Sequence, residues 1–159
     1  MDKKIVTSYR VYESVAVLTD QNQLLMQAAT KAIHNAYAPY SQFNVGAAVL
    51  LENGEIVTGN NQENAAYPSG MCAERVAVWN AMSHYPEQKI KKVAIIAQSP
   101  LRTVNKPVAP CGACRQVLME YESKQQEPIS VFFSCENGPV IEVNSLKDLL
   151  PFAFDQSFL

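Results

Sequence analysis

Apolar and polar positions divide this chain into short segments of alternating period. Leu25, Ala28, Ala29, Ala32, Ile33 and Ala36 recur every three or four residues, which predicts a helix with one apolar face. Thr19 or Asp20 can cap its start, and Pro39 stops it. Two strands follow, Val45–Glu52 and Glu55–Gly59, joined at Asn53-Gly54, a dipeptide suited to the positive backbone angles of a tight hairpin. A second helix is predicted from Met71-Cys72 to Ser83, and the run Lys92–Gln98 (KVAIIAQ) reads as a buried strand. A third helix starts at Pro110-Cys111 and runs through Arg115, Leu118 and Met119. Residues 129–134 predict a strand, Val140–Val143 a shorter one, and Ser145 caps a last helix ending before Pro151. Residues 5–17 alternate loosely between β-branched or aromatic and polar side chains, the pattern of an extra edge strand or an extended arm. Helices alternating with strands argue for a layered α/β domain, and with no repeat, linker or low-complexity tract residues 1–159 read as a single domain.

Length and composition narrow the function. A chain of 159 residues can bury a real core as one domain. Its longest apolar stretches, such as Val45–Leu51 and Val93–Ala97, are too short to cross a bilayer. The polar start, Met1 to Val11, lacks the apolar centre of a signal peptide, so a cytoplasmic protein is expected, with no membrane partner. Thirteen basic residues against fifteen acidic ones offer no basic stripe of the kind a polynucleotide binder uses against phosphate. A small neutral substrate suits this balance better than a nucleic acid.

The cysteines change the picture most. Cys72-Ala73-Glu74 opens one predicted helix and Pro110-Cys111-Gly112-Ala113-Cys114 opens another. Thiols at helix N-termini favour the thiolate, because free amides and the positive end of the dipole stabilise sulfur's charge. Three of them converging would hold a tetrahedral metal with one position open, the arrangement of a catalytic zinc. On spacing alone, C-x-x-C is equally a redox pair or half of a structural zinc site. Cys135, at the end of the apolar run VFFSC, is either a core residue or a fourth ligand closing the site. Glu74 separates the readings: a carboxylate two residues from a ligand can act on a metal-activated water, whereas a carboxylate that only complements the helix dipole is dispensable.

Cys72-Ala-Glu-Arg75 followed by Pro110-Cys-x-x-Cys114-Arg-Gln-Val117 resembles the cytidine deaminase family, in its small homotetrameric branch. Zinc deaminases of bases hold the metal by His/Cys/Cys or by three cysteines and use a non-ligand Glu as acid and base. The resemblance spans roughly residues 20–159 and includes Tyr40-Ser-x-Phe43-x-Val-Gly-Ala-Ala48, Asn61-Gln-Glu63-Asn-Ala65 and Leu150-Pro-Phe-Ala-Phe154. Residues 1–18 exceed the family's short form, and the 99–109 loop is longer than usual.

The resemblance implies a three-layer α/β/α domain around a mixed sheet of about five strands. It also implies one zinc ion per subunit on Cys72, Cys111 and Cys114, and hydrolysis of cytidine and 2′-deoxycytidine to their uridines and ammonia in pyrimidine salvage. Glu74 would take a proton from the attacking water, deliver it to N3 of cytosine, and pass one to the departing ammonia. Arg75 would hydrogen-bond ligand sulfur and offset the charge of three thiolates; otherwise it is a solvent-facing helix residue. Asn61 and Glu63, alternate positions of an extended segment, would hold the ribose 3′-hydroxyl; the alternative is loop polarity before a turn. Phe43 would lie beside base or sugar, and Phe154 would reach a neighbouring subunit's pocket, a core role being the alternative for each. His34 and His84, on predicted helices away from these motifs, are expected to be structural or exposed.

Three other functions compete with this reading. A deaminase of a cytosine-containing antibiotic nucleoside, of the blasticidin type, shares both cysteine motifs, but the Asn61-x-Glu63-Asn64 segment matches a ribose-like sugar. A non-catalytic zinc module would use Cys135 as fourth ligand and give Glu74 nothing to do. Polynucleotide editing is disfavoured by charge and by cysteine where such enzymes mostly carry histidine.

Overall fold

The computed structural model describes residues 1–159. Six strands, β1 (Tyr9–Tyr12), β2 (Asn44–Leu51), β3 (Ile56–Asn60), β4 (Ile90–Gln98), β5 (Ser130–Cys135) and β6 (Val140–Val143), form one sheet in the order β1-β6-β5-β4-β2-β3. Only β4 and β5 run parallel, and the connection between them carries helix α3 (Gly112–Gln125). The other helices are α1 (Asp20–Ala32) and α2 (Ala73–His84). The sheet has one strand more than expected, because Tyr9–Tyr12 pairs antiparallel with β6 at the edge. Arg10 and Tyr12 there donate to the carboxylate of Glu142, at 3.3 and 2.6 Å.

Alternation along β2 assigns the two faces. Ala48 and Leu50 pack with Leu25, Met26, Ala29 and Ile33 of the α1 region. Ala47, Val49 and Leu51 pack with Ala73, Ala77 and Ala81 of α2 and Leu118 and Met119 of α3. The sheet is thus buried between one helix and two, as a three-layer sandwich requires. Glycines let the helices approach closely. A Cβ on Gly46 would lie 2.0 Å from the carbonyl oxygen of Ala29, and one on Gly59 would lie 2.3 Å from the amide nitrogen of Ala77. No helix is long and apolar enough to cross a membrane.

Three local expectations are corrected. Pro39 does not stop the first helix: α1 ends at Ala32 and tightens into a 3-10 turn, Ile33–Asn35. The chain leaves helical geometry so that Tyr37 can pair in parallel with Gln62, its amide donating to Asn61 (2.9 Å) and its carbonyl accepting from Glu63 (2.8 Å). The expected last helix is a single 3-10 turn, Leu146–Asp148. Ser145 does cap it, accepting from the Lys147 amide, but Pro151 follows too soon for a helix and the Leu149 carbonyl is taken by Arg115. The strand predicted from Lys92 begins at Ile90, held at its first residue by the side chain of Gln125. Glu122 is buried in α3, where it accepts from the amides of Ile129 and Leu146 and the hydroxyl of Ser145.

Candidate active site

Two helix starts build the site. Cys72 is the N-cap residue of α2 and Cys111 that of α3, and Cys114 lies in the first turn of α3. The three sulfurs lie within 4.8 Å of one another, with Cys72 and Cys111 at 3.9 Å and Cys111 and Cys114 at 3.5 Å. All four cysteines are free thiols, and Cys135, buried at the end of β5, is not part of the group. A four-sulfur site closed by Cys135 is therefore not formed.

The cluster favours charge on Cys72. The neighbouring Cys114 thiol and then the Arg75 guanidinium outweigh burial and bring Cys72 down to about 5. Cys114 is pushed up by its hydrogen bond to Cys72 and by burial. Charge is thus favoured on the sulfur at the helix N-cap and disfavoured on the buried one behind it. Arg75 donates from Nη2 to Cys72 Sγ at 3.3 Å, which turns the guanidinium toward the thiol cluster.

A cavity of about 610 Å³ opens over this cluster. Phe43, Asn61, Glu63, Cys72, Glu74, Arg75 and Cys111 all line it, while Cys114 is buried beneath. Its size suits a small organic ligand. Glu74 is only 5% exposed. Burial, with the negative charge of Cys72, pushes its carboxyl above the usual carboxylate range. The shift is in the direction that suits a carboxyl for holding and releasing a proton.

Asn61 and Glu63 flank the Gln62 bridge and both face the cavity, but each also supports the loop before β2. The Asn61 amide donates to the Phe43 carbonyl and accepts from the Val45 amide, both at 2.8 Å. Glu63 accepts from the amides of Tyr40 (2.9 Å) and Ser41 (3.2 Å). Burial opposes its ionisation, yet the Ser41 and Tyr40 hydrogen bonds prevail and hold the carboxyl below its ordinary value. One carboxylate oxygen of Glu63 and part of the Asn61 amide stay available to a ligand.

Phe154 lies outside its own chain's cavity, 57% exposed and stacked on Phe158 at 5.5 Å. His34 and His84 are exposed and line no part of the cavity. Sequence reasoning missed Arg115 and Gln116. Arg115 donates to the carbonyls of Pro110 (2.8 Å) and Leu149 (2.9 Å), and Gln116 donates to that of Phe154 (2.8 Å). The helix bearing two thiols therefore also anchors the C-terminal segment. The only signal was their position directly after Cys114 in the quoted motif. Arg102, from the long 99–109 loop, sits 5.9 Å from the centre of the Phe43 ring.

Comparison with known proteins defines the class. The family described as the cytidine and deoxycytidylate deaminase zinc-binding region matches residues 19–126, and the chain belongs to this family of hydrolytic deaminases. It is 38% identical over 132 residues to a cytidine deaminase of Halalkalibacterium halodurans, covering 83% of this chain and 92% of that one. A cytidine deaminase of Sporosarcina psychrophila is 40% identical over 135 residues, covering 85% and 92%. The crystal structure of cytidine deaminase from Burkholderia pseudomallei aligns with a TM-score of 0.73 at 37% identity, over 86% of this chain and all of that one.

Proposed function

We propose that this protein hydrolyses cytidine and 2′-deoxycytidine to uridine and 2′-deoxyuridine, releasing ammonia, with one zinc ion per subunit held by Cys72, Cys111 and Cys114. The observation that carries the reading is the buried Glu74 carboxyl beside a three-thiol cluster, at the base of a cavity edged by Asn61 and Glu63. The donor set fits zinc: three sulfurs, one already disposed to the thiolate, with a cavity beside them for a further ligand. Zinc bound there supplies the Lewis acidity that makes water a nucleophile near neutral pH.

The chain's own residues do the rest. Glu74 accepts the proton of the attacking water and delivers it to N3 of cytosine. As the C4–N bond breaks, it takes the remaining proton from the new C4 hydroxyl, which becomes the carbonyl, and passes it to the leaving amine, so water is consumed and ammonia released. Arg75 tempers the negative charge of the sulfurs. Asn61 and the free oxygen of Glu63 hold the sugar hydroxyl, and Phe43 packs against the nucleoside. Cytoplasmic pyrimidine salvage goes with this reading. Loss of the cytidine ultraviolet absorbance on adding purified protein tests it. Activity that is absent, or that survives exhaustive chelation unchanged, would refute it.

The substrate is a nucleoside and not a nucleotide. Two helix N-termini that might bind phosphate carry thiols, Arg75 is engaged with sulfur, and Glu63 adds negative charge to the sugar side. Cytidine 5′-monophosphate is expected to turn over at least about tenfold more slowly than cytidine at equal concentration, about 1.4 kcal/mol of discrimination. Equal use of the two would redirect attention to Arg102 above Phe43.

The active form is a homotetramer in which Phe154 enters a neighbouring subunit's pocket. Its absence from its own cavity, its exposure and its anchorage to α3 through Gln116 support this. Phe154→Ala should raise KM for cytidine several-fold. A monomer by light scattering at assay concentration, fully active, would end this part of the proposal.

A further inference from the structure

The chain has a single tryptophan, Trp79, one helical turn after Arg75 on α2. Side chains on a helix lean toward its N-terminus, so the indole covers the turn that carries Arg75. The guanidinium carbon lies 6.0 Å from the ring centre, within the range of a cation–π contact. The same guanidinium reaches Cys72 Sγ through Nη2 at 3.3 Å. Arg75 Nε is buried and has no hydrogen-bond partner. No carboxylate pairs with this arginine; its salt-bridging counterparts elsewhere in the chain are Arg10, Lys89 and Lys91. A long side chain held at one end by sulfur, with no carboxylate partner and an unpaired Nε, needs another surface to fix it, and the indole face is that surface.

We infer that Trp79 is a positioning residue that holds the Arg75 guanidinium against the Cys72 sulfur. It touches neither substrate nor metal and acts only through Arg75. The inference rests on the zinc-site reading above for its functional consequence, but the Trp79–Arg75 contact itself does not. Trp79 belongs to neither apolar core cluster and is 41% exposed, so its replacement leaves the core intact.

The test is a double-mutant cycle read as the rate of zinc release to a chelating dye, a quantity that loss of surface packing alone would not couple to Arg75. Trp79→Leu should speed release about two- to fivefold, from loss of a partly exposed cation–π contact. Trp79→Phe, which keeps an aromatic face, should restore release to within about twofold of wild type. In an Arg75→Gln background, Trp79→Leu should add nothing further. Unchanged release in Trp79→Leu, or equal acceleration in both backgrounds, overturns the inference. A second readout needs no metal: Arg75→Gln should alter the emission of the lone tryptophan, and unchanged emission also overturns it. If wild-type protein binds no zinc, the functional proposal fails on that result, while the emission experiment still decides the contact.

Discussion

Glu74→Gln should lose at least a hundredfold in turnover of cytidine while keeping its metal content and its fold. The amide matches the carboxyl in shape and can still hydrogen-bond, but it cannot accept and return a proton, and such transfer contributes about a hundred- to ten-thousandfold. Glu74 is buried against the thiol cluster, and its environment disfavours the charged form, so removing the charge removes nothing on which the fold depends. The melting temperature should therefore stay within a few degrees of wild type. Steady-state kinetics, metal analysis and thermal denaturation check the three parts separately. A variant retaining more than about a tenth of wild-type turnover would remove Glu74 from the proton-transfer role.

Gly59→Ala should damage both stability and activity, although Gly59 lines no part of the cavity. A Cβ there would stand 2.3 Å from the Ala77 amide nitrogen, 2.7 Å from the Ala73 carbonyl oxygen and 2.9 Å from the Ala77 Cα. All three are backbone atoms of α2, so no side chain can rotate away and the helix itself must retreat. Overpacking of this kind costs about 1–3 kcal/mol, or roughly 2–12 °C in melting temperature for a chain of this size. The same movement carries Cys72 and Glu74, at the start of α2, away from Cys111 and Cys114 on α3. Misplacement by about 1 Å can lower a rate a hundredfold. Gly46→Ala provides the contrast, since its Cβ would strike Ala29 of α1 and Ile33 of the 3-10 turn after it, on the opposite face. It should destabilise comparably while the folded fraction keeps more of its specific activity. Equal specific activity for Gly59→Ala and wild type would mean that α2 can shift without disturbing the site.

The chemistry was legible in the sequence because it is local. Cys72, Glu74, Cys111 and Cys114 sit at helix starts, and a start is marked by residues close in sequence. The hairpin at Asn53-Gly54 is equally local: Gly54 takes a φ of +90°, and the strands beside it fall within one residue of their predicted bounds. What escaped was set by distant partners. Nothing near Pro39 announces that residues 36–38 must leave helical geometry to meet Gln62. Asn61 reads as a polar ligand group, but half of its hydrogen bonding goes to the backbone of Phe43 and Val45, which the hairpin brings beside it. Arg115 and Gln116 directly follow Cys114, but their partners, Leu149 and Phe154, are more than thirty residues away. Periodicity reports which face of an element is buried, not which carbonyl waits across the gap.

The sheet order has a consequence for how the chain comes into being. β1 pairs with β6, so Tyr9 faces Val143, and the Arg10–Glu142 contact spans 132 positions. On a ribosome the first strand of this sheet to emerge is therefore the last able to find its place. Residues 9–12 must wait until β6 has been made, and Tyr9 and Val11 stay exposed even in the finished sheet. Contacts so remote in sequence form slowly, because the ends of a long loop must first meet. The sheet from β3 to β5 can assemble around the thiol cluster before that closure. Pulse-labelled hydrogen exchange during refolding should then find the amides that join β1 to β6 protected after those of β4 and β5.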